Sequence, residues 1–161
     1  LASQDSLSGL YNRQYMESHL SNRFSNIQEN ECFSIIIADL DNFRSINESY
    51  GHNIGDEVIS EVSQLLTTTL EDTYIIGRWD GNAFIILLPN HEEEASRLIA
   101  ELLRKKIKQL DLKKQGDTLK LSLSFGTASS AKCNGLHDLL SHAENSLYQA
   151  KHMGGNIVIQ S

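Results

Sequence analysis

Apolar and polar positions alternate between two periods along this chain, and the changes of period mark its elements. Tyr15, Met16, Leu20 and Phe24 recur at helical spacing, predicting a helix from Asn12 to about Phe24. Cys32 to Leu40 is short, β-branched and nearly all apolar, which predicts a buried strand. Asn42 to Tyr50 reads as a short helix stopped by Gly51. A second begins near Gly55, with Val58, Ile59, Val62, Leu65, Leu66 and Leu70 on one face. Tyr74–Trp79 and Ala83–Leu88 then flank Asp80-Gly81, a β-hairpin signal, and Pro89-Asn90 closes it.

His91 to about Leu110 predicts an amphipathic helix buried through Ala95, Leu98, Ile99, Leu102 and Leu103. Its Glu92-Glu93-Glu94 start and Arg104-Lys105-Lys106 end complement the helix dipole and read as a solvated face. Gln115-Gly116-Asp117 turns the chain into Leu119–Phe125, where Leu119, Leu121, Leu123 and Phe125 alternate with Lys120, Ser122 and Ser124 as in a half-buried strand. Leu136 to about Lys151 is a helix with Leu136, Leu139, Leu140, Ala143, Leu147 and Ala150 on one face. Gly154-Gly155 stops it before a last strand at Asn156–Gln160. The order α-β-α-α-β-β-α-β-α-β predicts an α/β sandwich, its central sheet mainly antiparallel and flanked by helices. No Gly-rich turn joins a strand to a helix at Rossmann or P-loop spacing.

Composition narrows this only slightly. The 161 residues suit one domain, with 40% hydrophobic and 22% charged residues. No apolar run approaches the roughly 20 residues of a membrane-spanning helix, and no signal-peptide pattern opens the sequence. A net charge of -7 argues against non-specific nucleic-acid binding but leaves room for a nucleotide held by a few cations. Cys32 and Cys133 show no metal spacing; Cys32 reads as a core residue, and a reducing cytoplasm fits. His19, His91, His137, His142 and His152 are scattered, and His52 reads as structural beside its glycine turn. The start at Leu1-Ala2-Ser3-Gln4 without Met leads us to expect a domain excised from a longer protein.

Candidate chemistry gathers where strands end. The buried run to Ala38 delivers Asp39-Leu40-Asp41, two carboxylates at a strand's C-terminal end. Three stretches then carry a family resemblance. Asp5-Ser6-Leu7-Ser8-Gly9-Leu10-Tyr11-Asn12-Arg13 is similar to D-x-L-T-G-L-x-N-R. The run from Asp39 through Asn47 and Gly51-His52 to Gly55-Asp56 follows D-x-D-x-F-K-x-I-N-D-x-x-G-H-x-x-G-D, and Ala143–Lys151 resembles A-D-x-A-L-Y-x-A-K. Together they resemble the GGDEF family of diguanylate cyclases over essentially the whole chain.

The resemblance implies a nucleotide-cyclase or polymerase-palm-like sandwich in which two GTP-loaded copies meet and make cyclic di-GMP. It implies Mg²⁺ at Asp39, Asp41 and the Leu40 backbone carbonyl, hard oxygen ligands suited to that ion. It implies guanine recognition by Asn47 and Asp56, and phosphate neutralisation by Arg44, where the family has Lys, and by Lys151. Read without it, Asp39 and Asp41 are strand-end acids, Asn47 and Asp56 could cap turns and helices, and Arg44 and Lys151 are surface cations.

The chain departs from the pattern at the motif that gives the family its name. Asp80-Gly81-Asn82-Ala83-Phe84 keeps only the second Gly and the Phe. Asn82 carries no charge and cannot serve as a base near neutral pH, and Ala83 offers nothing to metal or nucleotide. Asp80 adds bulk and a negative charge, and reaching across to Lys151 or Arg44 it would close the pocket. Glu71-Asp72-Thr73-Tyr74 stands where an R-x-x-D feedback motif would be, and Gly155 replaces the Arg of a final G-R-N. Trp79 reads as packing.

We therefore expect residues 1–161 to be a single degenerate GGDEF domain from a multidomain signalling protein, with no intact catalytic set at Asp80, Gly81, Asn82 and Ala83. Its role would be regulatory in cyclic di-GMP signalling, with GTP and Mg²⁺ as candidate ligands and a tethered phosphodiesterase or sensor domain, or a second copy, as candidate partner. A residual diguanylate cyclase and a vestigial interaction module without nucleotide are the alternatives.

Overall fold

Residues of one strand decide how the layers stack. In β1 (Phe33–Leu40) the even positions Ile36, Ala38 and Leu40 join one buried cluster, and the odd positions Phe33, Ile35 and Ile37 join another. A strand buried on both faces reads as a continuous apolar run, which is why periodicity alone shows no alternation there.

A computed structural model describes residues 3–161; Leu1 and Ala2, where the sequence opens, lie outside the described residues. Around β1 the chain lays down α1 (Arg13–Asn26), α2 (Phe43–Tyr50), α3 (His52–Thr69), β2 (Ile75–Asp80), β3 (Ala83–Pro89) and α4 (Glu93–Lys108). There follow β4 (Asp111–Lys114), β5 (Asp117–Lys120), β6 (Leu123–Ser129), a 3₁₀ turn at Ser130–Lys132, α5 (Leu136–His152) and β7 (Val158–Gln160). The sheet order is β2-β3-β1-β6-β7, and β4-β5 form a separate ribbon. All pairings are antiparallel except β6 with β7. One face buries Val58, Ile59, Val62 and Leu66 of α3 with Ala100, Leu103 and Ile107 of α4; the other buries Met16 and Leu20 of α1 with Leu139 and Ala143 of α5. The α/β sandwich with a mainly antiparallel central sheet is as the sequence predicts. Among the described residues no helix is long and apolar enough to cross a membrane.

Several local expectations need correcting. The Leu119–Phe125 run is broken between β5 and β6, and β6 is buried along its whole length. Its alternation is real, because Leu119, Leu121, Leu123 and Phe125 share one cluster; the intervening Ser122 and Ser124 bind a buried carboxylate instead of water. Strand β4 pairs Leu112 opposite Leu119 where the sequence reading had helix end and loop. Helix α4 buries Ser96, Ala100, Leu103 and Ile107, whereas Leu98 and Leu102 are 55% and 45% exposed. Ser96 and Ala100 share the buried face of α4 with Leu103 and Ile107, and Leu98 and Leu102 lie off that face. Helix α3 starts at His52, ahead of Gly55. Cys32 precedes β1 and is half-buried, its thiol 3.6 Å from the His91 carbonyl.

Candidate functional site

Strand β1 runs out at Leu40, and the three residues at its end point at different partners. Asp41 is an anchor. Its side chain is only 8% exposed and accepts from Ser122 Oγ (2.6 Å), Ser124 Oγ (2.7 Å), Lys151 Nζ (2.9 Å) and the Asn156 backbone N–H (2.9 Å). Burial pushes its pKa up, but the hydrogen bonds of Ser122, Lys151 and Ser124 outweigh it and hold Asp41 below the usual carboxylate range. Gly155, at φ +80°, lets the chain after α5 pass against this carboxylate; a Cβ there would sit 2.9 Å from Asp41 Oδ1. The expected metal ligand Asp41 therefore has its lone pairs committed to joining β1, β6 and the α5–β7 link.

Asp39 and the Leu40 carbonyl hold the chemically open position, and two donors of this chain fill it. Lys151 Nζ lies 2.9 Å from Asp39 Oδ1, 3.1 Å from the Leu40 carbonyl oxygen and 2.9 Å from Asp41 Oδ1. Asn82 Nδ2 donates to Asp39 Oδ1 at 2.7 Å and to the Leu40 carbonyl at 3.3 Å. The Asn82 backbone carbonyl accepts from Leu40 N–H at 2.9 Å, fixing the residue against β1. Burial raises the Asp39 pKa above its usual value; Lys151 opposes this, and the charges of Asp41 and Asp80 add to it. An ammonium ringed by three oxygens, with an amide N–H in place of a third acid, does not fit a two-Mg²⁺ centre. The oxygens that resemblance assigns to the ions are bound by protein N–H groups.

The hairpin wall differs in detail from its sequence reading. Asp80 pairs with Ala83, so the two turn residues are Gly81 and Asn82, after a bulge between Arg78 and Asp80. Neither has positive φ, and a Cβ on Gly81 would meet nothing within 4 Å. Asp80 does not reach Lys151 or Arg44. It bonds Arg13 at 2.8 Å, and the Arg13 guanidinium stacks 4.1 Å over the buried Trp79 ring. Arg78 donates to the Asp80 carbonyl (3.2 Å), the Gly81 carbonyl (2.6 Å) and Asp5 (2.9 Å). The N-terminal motif thus clamps the turn, a role its sequence did not disclose. Ala83 is buried in the cluster beneath α1 and α5, and its side chain has no polar atom to offer a ligand.

On the other side of Asn82 opens a pocket of about 400 Å³ lined by Phe43, Arg44, Asn47, Glu48, His52 and Asn82. Asn47 Oδ1 is buried there without a hydrogen-bond partner among the described residues. Gly55 is what admits it, since a Cβ at 55 would stand 1.9 Å from that oxygen. Neither end of α2 is capped by a side chain, nor is the start of α3, and Asp56 is the fifth residue of α3, past its first turn. The capping reading of Asn47 and Asp56 therefore fails. Asp56 is exposed, one residue beyond Gly55. Arg44 is a 92% exposed lip residue bridged to Glu48 at 2.9 Å. His52, set aside from sequence, lines the same pocket. A second pocket of about 230 Å³ lies across Asp39, between Trp79, Ala83, Tyr148 and Lys151. The Asp39–Asn82 bond separates the two.

Comparison with known proteins bears on the family and the fold. Residues 2–157 match the family model described as diguanylate cyclase, GGDEF domain. The chain is similar to the diguanylate cyclase VdcA of Vibrio cholerae serotype O1, 32% identical over 158 residues, covering 96% of this chain and 46% of that protein. It thus spans less than half the length of that relative. The GGDEF domain of DgcB from Caulobacter crescentus, solved with cyclic di-GMP, superposes with a TM-score of 0.94 at 23% identity over 99% of this chain and 96% of the other. The GGDEF domain of TpbB (YfiN) from Pseudomonas aeruginosa gives a TM-score of 0.90 at 27% identity over 98% and 93%.

Proposed function

The chain belongs to the GGDEF diguanylate cyclase domain family, and from that premise we propose that it is a non-catalytic, GTP-binding regulatory domain of cyclic di-GMP signalling. The observation that carries this reading is the 2.7 Å bond from Asn82 to Asp39, at the position where an active member needs an acid. A neutral amide can neither take the proton of an attacking 3′-hydroxyl nor hold a second cation by charge, so both contributions to the rate are lost. Lys151 supplies one positive charge to the Asp39–Leu40–Asp41 oxygens and makes the cluster self-sufficient without metal.

Binding is supported separately. A buried acceptor without a partner costs roughly 1–3 kcal/mol, and a guanine N–H donated to Asn47 Oδ1 would recover it. The carboxylate of Asp56 can accept further donors of the same base edge. Arg44 at the pocket lip is a cation available to a triphosphate, whereas Lys151 is held by the Asp39, Leu40 and Asp41 oxygens in the neighbouring pocket. The domain would act by biasing a tethered phosphodiesterase or sensor domain, or by pairing with a second copy, in the cytoplasm where GTP is present.

Calorimetry with GTP, alone and with Mg²⁺, tests this, with chromatography of the incubated mixture for cyclic di-GMP. Saturable binding weakened by Asn47→Ala, without product, is the expected result. Product abolished by Asp39→Ala would establish residual cyclase activity, and absence of both heat and product would leave a module without nucleotide.

A further inference from the structure

We propose that Cys133, Asp138 and His142 form a binding site for a divalent d-block cation of the Zn²⁺ class, separate from the nucleotide site. Sequence spacing gave no hint of it, because Cys133 lies on the loop after the 3₁₀ turn while Asp138 and His142 lie one helical turn apart on α5. The fold brings their ligand atoms to within 4.8 Å of one another.

The distances fit a small tetrahedral ion. Cys133 Sγ is 3.4 Å from His142 Nδ1, which is 3.4 Å from Asp138 Oδ1. With metal bonds of about 2.3 Å to sulfur and about 2.0–2.2 Å to nitrogen and oxygen, a tetrahedron separates sulfur from nitrogen by about 3.5 Å, and nitrogen from oxygen by about 3.4 Å. Two of the three separations thus match already, the third lies within 4.8 Å, and His142 Nδ1 gives up its 2.9 Å bond to the Asp138 backbone carbonyl when the ion enters. Outer contacts hold them: Asn134 N–H donates to Asp138 Oδ2 at 3.0 Å, leaving Oδ1 for the ion, and Cys133 N–H is fixed to the Ser130 carbonyl at 3.2 Å.

The donor set selects the ion. One sulfur, one imidazole nitrogen and one carboxylate oxygen are poor for Mg²⁺ or Ca²⁺ and suit Zn²⁺, Co²⁺ or Ni²⁺. Two carboxylates, Asp138 and Glu93, bear on the sulfur; Lys132 pairs with Glu93 Oε2 at 2.5 Å, while Glu93 Oε1 is buried without a hydrogen-bond partner among the described residues. On ligation the thiol proton passes to solvent and the imidazole proton moves to Nε2. Three protein ligands leave a fourth position for water. A Cys–His–Asp nucleophilic relay is a poorer fit, because thiol and carboxylate both face the same imidazole nitrogen, whereas a relay needs one on each.

Co²⁺ titration of the metal-free protein tests the site. One equivalent should produce a thiolate-to-cobalt charge-transfer band with tetrahedral visible bands, displaced by Zn²⁺. Cys133→Ser should abolish the near-ultraviolet band, and His142→Ala should weaken Zn²⁺ binding by at least about tenfold, while Cys32→Ser changes neither. Circular dichroism verifies that the variants fold, as their partly exposed positions predict. No charge-transfer band in the folded wild type, equal Zn²⁺ affinity in wild type and Cys133→Ser, or loss of the band in Cys32→Ser would each overturn the proposal.

Discussion

Asn82 is where one side chain separates a cation centre from a hydrogen-bonded cluster. Asn82→Asp exchanges the N–H donated to Asp39 for a second carboxylate. It should cost about 1–3 kcal/mol of stability in metal-free buffer, and Mg²⁺ should then raise the melting temperature of the variant while leaving the parent unchanged. Asp41 has the opposite character, since its bonds are structural. Asp41→Ala strands Lys151 and the donors of Ser122 and Ser124, and denaturant unfolding should report a loss of roughly 3 kcal/mol. Gly81 gives a third contrast. Its sequence position next to Asp80 suggested a turn that needs glycine, yet its φ is not positive and its Cβ position is open. Gly81→Ala should therefore stabilise the domain by about 0.4–1 kcal/mol in the same assay.

Elements were legible where burial imposes one clear period. The hairpin and helices α1, α3 and α5 follow from apolar spacing, and β1 follows from an apolar run too short for a helix. The errors arise where polar residues are buried for a reason that lies elsewhere in the chain. Ser122 and Ser124 resemble a solvent face but serve Asp41, and Ser96 interrupts the face of α4 that packs on the sheet. The candidate site shows the same division. Asp39, Asn47 and Lys151 were singled out through the resemblance of their motifs to a family, but nothing local indicates that Asp80 goes to Arg13 or that Asp5 braces Arg78. That last contact is testable through pH. Burial pushes the Asp5 pKa up, but Ser8 and the Arg78 guanidinium outweigh it and leave it lowered. A lowered folded value gives stability that is present above the unfolded value near 3.9 and is lost as pH falls through the folded one. Thermal melts between about pH 5 and pH 2 should therefore fall less steeply for Asp5→Asn than for the parent.

At the scale of the whole molecule, the sheet carries two pockets on either side of the Asp39–Asn82 bond, and among the described residues only one of them has an unpaired buried acceptor. That asymmetry predicts how ligand binding couples to stability. A nucleotide that binds only the folded domain adds about 2.7 kcal/mol at one hundred times its dissociation constant. For a domain of 161 residues that corresponds to a melting shift of roughly 5–10 °C. If Lys151 and Asn82 already satisfy the oxygens of Asp39 and Leu40, the shift should be nearly the same in Mg²⁺ and in EDTA. Asn47→Ala should remove most of it, while Asp39→Asn, which touches the cation position and not the base pocket, should leave most of it intact. A shift that vanishes in EDTA would instead mean that the nucleotide displaces Lys151 and brings a metal to Asp39, and the site would have to be reassigned as a metal-dependent one. Because the same melts report one pocket through Asn47 and the cation position through Asp39, one set of measurements separates nucleotide binding at the first from metal dependence at the second.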